Sequence, residues 1–514
     1  MNELKIGWAQ RDVSTDKPIN IPGQFPMRIS RGVHDPVTTT ALVLNDGGDV
    51  AIFLSLDAVV IRSGLYDLVV AKTKARNPEI PSEKILMNVT HAHTGPSHYR
   101  DEKFEEDGSK NNYSVKTIAH VPHDGMEIAS SDEYREFLSD QCADAVAEAW
   151  AKMAAGGVAW GYGYAVVAHS RRTIYFDDVS TRPGEGQSGY RVNGHGVMYG
   201  NTNDPNFSGY ESGADHFVNL LYTFDARGNL TGAIINVPCP SQCSEHMYML
   251  SADYWDDVRR EVRRRFGEKL FILPQCAAAG DLSPRILHYK AAQVRRFRLK
   301  YGMETADDAT VKAFAERKDI AERIADAFGE VLSWARKDIR TSAVIKHEVV
   351  DMQLTRRRIT EDEVKFARDA LAAQGEFVPK TDGSPEHNLT VNSSAISARN
   401  RFIRVLQRYE DQDKNPTMPM QSHIIRVGDI AFASNRFELY MDFMHRIQAR
   451  SPFIQTFVVQ LAGVPGEDGG SYLATTKGAE NKGYSACLFC NQVSPEGGQE
   501  LVENTLEVLK KLAD

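Results

Sequence analysis

The chain has 514 residues, with 60 Lys and Arg against 69 Asp and Glu and a formal charge of −9. That balance repels a nucleic-acid backbone, so no nucleic-acid partner is expected. At 42% hydrophobic and 25% charged residues the composition is that of a folded globular protein. No run approaches the ~20 apolar residues that span a bilayer, so no transmembrane segment is expected.

The opening MNELKIGWAQRDVS has no basic stretch followed by an apolar one, which predicts a cytoplasmic protein. Six cysteines, at 142, 239, 243, 276, 487 and 490, are too sparse for a disulfide scaffold and fit a reducing compartment. CLFC at 487–490 is a lone CxxC and reads as reduced, partly buried thiols.

Short apolar runs at 49–60, 84–90, 216–224, 230–237 and 269–275 predict buried strands. Between them, 130–154 and 253–267 carry helical spacing; the second has acids early, arginines late and Gly267 at its end. The charged segment 303–339 predicts one or two helices, and 360–375 another, opened by a Thr360/Glu363 capping box. Strands follow at 344–354, 423–434 and 453–462, and QELVENTLEVLKKLA closes the chain as a helix.

Strands alternating with helices predict an α/β fold, a mixed sheet core with flanking helices in one large catalytic unit. A soft boundary near 340 divides that unit into residues 1–340 and 341–514. Two polar stretches without periodicity, 97–130 and 173–215, read as walls of a pocket.

Two segments carry chemistry. In NVTHAHTGPSH, residues 88–98, an extended backbone points His91 and His93 the same way from the end of a buried strand, a metal-site geometry that ordinary loops also adopt. In CAAAGDLSPR, residues 276–285, small residues precede a tight turn that exposes Ser283 as a nucleophile or positioning hydroxyl. The alternative is a capped turn, with Asp281 and Ser283 bonding nearby backbone N–H groups.

Taken in order, LKIGWAQRDVS, THAHTGP, CAAAGDLSP and GGSYLATTKGAENKGYS resemble segments of the neutral (alkaline, non-lysosomal) ceramidase family of zinc-dependent amidohydrolases. The resemblance implies that His91 is a zinc ligand and His93 a neighbour of the substrate carbonyl. It implies that Ser283 is the family serine, within the segment that carries Asp281, and that Arg171 holds the reacting group. Glu438 and Tyr472 become further zinc ligands and Tyr484 a substrate-facing tyrosine. The family's second zinc histidine has no direct counterpart, because Pro240 takes its place in PCPSQCSEH. His246 is the expected substitute and Cys239 its alternative, with Glu245, Gln242 or no ligand also open.

The implied activity is zinc-dependent hydrolysis of an amide in a linear, small-molecule or lipid-like substrate such as an N-acyl sphingoid base. A soluble, hydrophilic amide or ester competes, because the segments near the site are polar and the sequence leaves no room for the family's C-terminal immunoglobulin-like domain. A metal-binding relative without catalysis is the remaining alternative.

Overall fold

The computed structural model describes residues 3–100, 125–183, 192–466 and 469–514. The expected pocket walls therefore fall partly outside the described residues, at 101–124 and 184–191.

Eight strands form the main sheet: β1 (Lys5–Asp12), β2 (Thr38–Asn45), β3 (Val50–Leu56), β4 (Ile85–Val89), β5 (Ala154–Tyr164), β6 (Phe217–Asp225), β7 (Leu230–Val237) and β8 (Phe271–Cys276). Their spatial order is β8-β7-β6-β5-β1-β2-β3-β4. The inner pairs are antiparallel, whereas the edge pairs β3·β4 and β7·β8 are parallel. Parallel neighbours need a crossover, supplied by α1 (Leu65–Arg76) and, between β7 and β8, by α3 (Tyr254–Phe266); α2 (Ser131–Ala151) leads into β5.

The two edges meet. Ser55 Oγ on β3 and Asn88 Nδ2 on β4 donate to the Pro274 carbonyl on β8, at 2.6 and 3.1 Å. Pro274 has no N–H to give, so an edge strand is where it fits. This contact brings the loops that follow β4, β7 and β8 together.

A second sheet, β9 (Ile345–Thr355), β10 (Thr417–Val427), β11 (Ile430–Ser434) and β12 (Gln455–Val459), packs on one face of the first. Alternation explains the interface. Leu42, Leu44, Ala51 and Phe53 face Ile425, Val427, Phe432 and Phe457, with Phe53 and Phe432 ring centroids 4.8 Å apart. The intervening Ala41, Val43, Ile52 and Leu54 turn the other way onto α1 and α2. Helices α3 and α4 (Glu316–Ala335) cover β6 and β7, while α7 (Met441–Arg450) and α8 (Pro495–Ala513) cover the second sheet. The α/β architecture with a mixed sheet core and flanking helices is as expected.

Helices α5 (Glu361–Gln374) and α6 (Pro385–Asp411) stand between β9 and β10 in sequence. The Thr360/Glu363 capping box opens α5. Ser384 caps α6 by accepting from the His387 N–H, with Pro385 at the first turn. Among the described residues no helix is long and apolar enough to cross a membrane. Cys487 and Cys490 are buried free thiols, with sulfurs 3.6 Å apart.

Candidate active site

A short parallel pairing of Glu438–Leu439 with Tyr472–Leu473 sets Glu438 opposite Tyr472, so carboxylate and phenol emerge on one side. Gly280, in the GDLSP turn, lies against the same strand: a Cβ there would come 2.3 Å from the Glu438 carbonyl. Only glycine permits that approach. A second short pairing, Leu282–Ser283 with His169–Ser170, fastens the GDLSP turn to the HSRR segment and delivers Arg171.

Arg171 is fully buried and holds the cluster together. It donates to the Gly280 carbonyl at 2.9 Å and the Tyr472 hydroxyl at 3.2 Å, with Glu438 Oε2 at 3.5 Å. On its other terminal nitrogen lie Tyr199 Oη and Gln242 Oε1, each at 3.4 Å. Burial works to raise the Glu438 pKa, yet His91, Arg171 and a hydrogen bond from Tyr472 outweigh it and hold the carboxyl below the usual range. The buried phenols of Tyr472 and Tyr484 are pushed well above theirs.

His91 follows β4 in the left-handed region, with φ 61°, a conformation that a non-glycine residue adopts at some cost. Its Nδ1 lies 2.7 Å from the Val59 carbonyl. A carbonyl only accepts, so Nδ1 carries the hydrogen and Nε2 turns toward Glu438 Oε2, 3.3 Å away. His93 is buried beside it, with its Nδ1 3.4 Å from Glu245 Oε2 and its Nε2 3.2 Å from that of His91. Gln242 completes the group, its amide nitrogen 2.9 Å from His93 Nε2. Burial, then the positive neighbours His91, Arg28, Arg171 and Arg285, push the His93 imidazole well below its ordinary value.

The Nε2 atoms of the two imidazoles and a Glu438 oxygen thus gather at His91, whose Nδ1 is bonded to the Val59 carbonyl, while the buried His93 Nδ1 has no hydrogen-bond partner among the described residues. The arrangement is at ease only with one positive charge between them, a proton or a metal ion. Ligand atoms ~2.0–2.1 Å from a tetrahedral zinc stand about 3.3 Å from one another, matching the 3.2 and 3.3 Å separations here. Among the described residues no three His, Cys, Asp or Glu side chains by themselves form a group that could hold a metal ion. A donor set for a zinc-like ion is therefore mixed: His91 and Glu438 with the Tyr472 phenol, to which Gln242 could add only its amide oxygen.

The 239–246 loop differs most from the sequence reading. His246 sits on the cavity wall with 76% of its side chain exposed and Nε2 3.8 Å from Glu245 Oε1; Gln242, not His246, reaches the histidine pair. Cys239 is buried, donating its thiol to the Val167 carbonyl at 3.2 Å. Pro240 and its neighbours keep the loop tight: Ser241 Oγ donates to the Thr90 carbonyl at 2.7 Å, which aims residue 242 inward.

Asp281 accepts from Met441 N–H at 3.0 Å and Ser212 Oγ at 3.0 Å, and so anchors the turn. Ser283 lies behind Tyr199, accepting from the Tyr199 hydroxyl at 3.3 Å and the Arg285 N–H at 3.1 Å. Tyr199 and Arg285 were not singled out in the sequence, although Tyr199 links Arg171, Gln242 and Ser283. Its one sequence signal is membership of the polar stretch 173–215. Arg285 pairs with Glu245, and Arg28 ties the His93 carbonyl at 2.6 Å to that of Met247 at 2.9 Å.

All of this opens onto a cavity of about 690 Å³ whose wall includes His91, His93, Gln242, Glu438, Tyr472 and Tyr484. That size suits a small-molecule ligand.

No protein-family model and no curated protein matches the sequence. Solved structures do. Neutral ceramidase from Pseudomonas aeruginosa aligns with a TM-score of 0.64 at 15% identity, covering 99% of this chain and 75% of that one. A ceramidase complexed with C2 aligns with a TM-score of 0.63 at 14% identity, covering 100% of this chain and 76% of that one. The chain has the neutral ceramidase fold across its whole length, in a strongly diverged sequence.

Proposed function

We propose that this protein is a zinc-dependent hydrolase of an amide bond. The observation that carries the reading is the gathering of His91, Glu438 and Tyr472, fastened by Arg171, with His91 Nε2 3.3 Å from Glu438 Oε2 and 3.2 Å from His93 Nε2. Likeness in fold to ceramidase structures supports the reaction class. When bound, zinc would polarise the substrate carbonyl and activate a water.

The chain's own groups have distinct tasks. His91, Glu438 and Tyr472 would hold the ion, with Gln242 taking the place expected for His246. Arg171 keeps Glu438 and Tyr472 ionically and geometrically in register. His93, held neutral by burial and its cationic neighbours, can accept or return a proton at Nε2. The Tyr484 hydroxyl, hard to ionise, is suited to donate a hydrogen bond to oxygen charge that develops on the carbonyl. Ser283 communicates with the cavity through Tyr199, which favours a positioning role over direct attack.

The decisive experiment is metal analysis of the purified protein joined to turnover of N-acyl and O-acyl substrates by wild type, His91→Ala and Ser283→Ala. Stoichiometric zinc and amide cleavage, both lost in His91→Ala, are expected. Zinc without any turnover would favour a metal-binding relative, and absence of zinc that cannot be restored would sink the reading.

A further inference from the structure

Beside the zinc-ligand cluster the cavity wall carries several arginines. Helix α6 contributes Ser397, Asn400, Arg401 and Arg404, whose spacing puts them on one helical face. Arg62 enters from the loop after β3. The two carboxylates on the described wall are already engaged, Glu245 by Arg285 and Glu438 by His91 and Arg171.

Arg401 is held in an unusual way. Its guanidinium carbon lies 4.2 Å from the Phe25 ring centroid, with Tyr484 at 6.0 Å and Phe489 at 5.9 Å. Among the described residues no carboxylate or carbonyl accepts from it. A guanidinium resting on aromatic faces keeps its in-plane N–H fork pointing outward, the geometry that meets a carboxylate or phosphate with two parallel bonds. Arg62 lies over Tyr99 at 5.5 Å, and among the described residues its guanidinium has only a long 3.4 Å bond to the Gly470 carbonyl and a buried Nε without a partner.

The anchor is also close to the chemistry. Tyr484 stands edge-on to Tyr472, centroids 6.0 Å apart, so Arg401 sits one aromatic ring beyond the zinc-ligand cluster. We propose that Arg401, assisted by Arg62, binds an anionic group on one limb of the substrate, and that the site takes a carboxylate- or phosphate-bearing amide in preference to an uncharged ceramide. This rests on the hydrolase reading and names its substrate class.

The test uses the zinc-loaded full chain and four probes sharing one acyl group: octanoyl-glycine, octanoyl-phosphoethanolamine, octanoyl-ethanolamine and octanoyl-sphingosine. Binding is read by calorimetry and cleavage by kcat/KM. At least one anionic probe is expected to exceed both neutral ones by ~10-fold or more, the scale of a charge-assisted hydrogen bond. Which of the two leads separates carboxylate from phosphate. Arg401→Gln should erase most of that preference, and Arg401→Lys should keep part of it, at unchanged Tm. Equal losses on charged and neutral probes, or a preference for a neutral probe, would overturn the anion site while leaving the hydrolase standing. Arg401-dependent binding of an anionic probe without cleavage of any probe would do the reverse.

Discussion

Two pairs of buried histidines invite comparison. In the core between the sheets, Tyr66 Oη lies 3.2 Å from His423 Nε2, His423 Nδ1 lies 3.0 Å from His347 Nε2, and His347 Nδ1 lies 3.2 Å from the Val50 carbonyl. One run of neutral imidazoles satisfies every atom: hydroxyl to His423, His423 to His347, His347 to carbonyl. His91 and His93 instead aim Nε2 at Nε2, beside Glu438 and an open cavity. Two close histidines are therefore not a site by themselves. A missing positive charge, a carboxylate and room for a ligand make the difference.

The largest way to break that contrast is His91→Ala, which should remove bound zinc and all measurable turnover. His423→Leu should keep zinc stoichiometry and cost stability, by ~1–3 kcal/mol for the partners left unsatisfied. Urea denaturation and metal analysis on both variants read the result; equal zinc loss in the two would erase the distinction.

Acid acts next. Burial pushes His347 down to about 3 and His423 well below its ordinary value, so both stay neutral when folded while the unfolded chain protonates them near 6.5. Their depressed pKa values leave stability intact above about 6.5 and erode it as pH falls toward about 3, by ~1.4 kcal/mol per pH unit for each group. Stability curves between those limits should flatten in His347→Leu if the variant folds; an unchanged slope would remove these histidines from the account.

A smaller effect is expected at Gln242. Gln242→His would supply an imidazole where an amide now meets His93, and should tighten zinc retention against a chelator by about 10-fold, the lower end of what changes around a metal site produce. No tightening would mean that residue 242 does not face the ion. The smallest effect belongs to Tyr66→Phe, which removes one hydrogen bond from the core chain and should cost ~1 kcal/mol without altering zinc binding.

Much of the fold was legible because its signals are local. The runs at 84–90 and 230–237 became β4 and β7, and the helix read at 130–154 became α2, capped by Ser130. Two failures have plain causes. The stretch read as one strand at 423–434 is a hairpin, β10 and β11, reversed at Gly428 and Asp429 with Gly428 at φ 61°. Strand β5 went unread because AAGGVAWGYGY is rich in glycine, which has weak strand preference; at Gly161 the missing Cβ makes room for α4, since one there would come 2.2 Å from the Trp334 ring and 2.8 Å from Val331. Helix α6, rich in Asn and Ser, was missed as well, and Arg401 with it.

By itself, then, the sequence determined the strands and helices with strong periodicity and the segments HAH, GDLSP, HSRR and the paired tyrosines, because periodicity and short motifs need only neighbours along the chain. Tertiary structure alone decided which member of PCPSQCSEH reaches the histidines, that Tyr199 stands before Ser283, and that Arg401 faces Tyr484. Those choices depend on where the two edges of the main sheet meet and on which side of α6 is turned inward, contacts between residues hundreds of positions apart that no local pattern records.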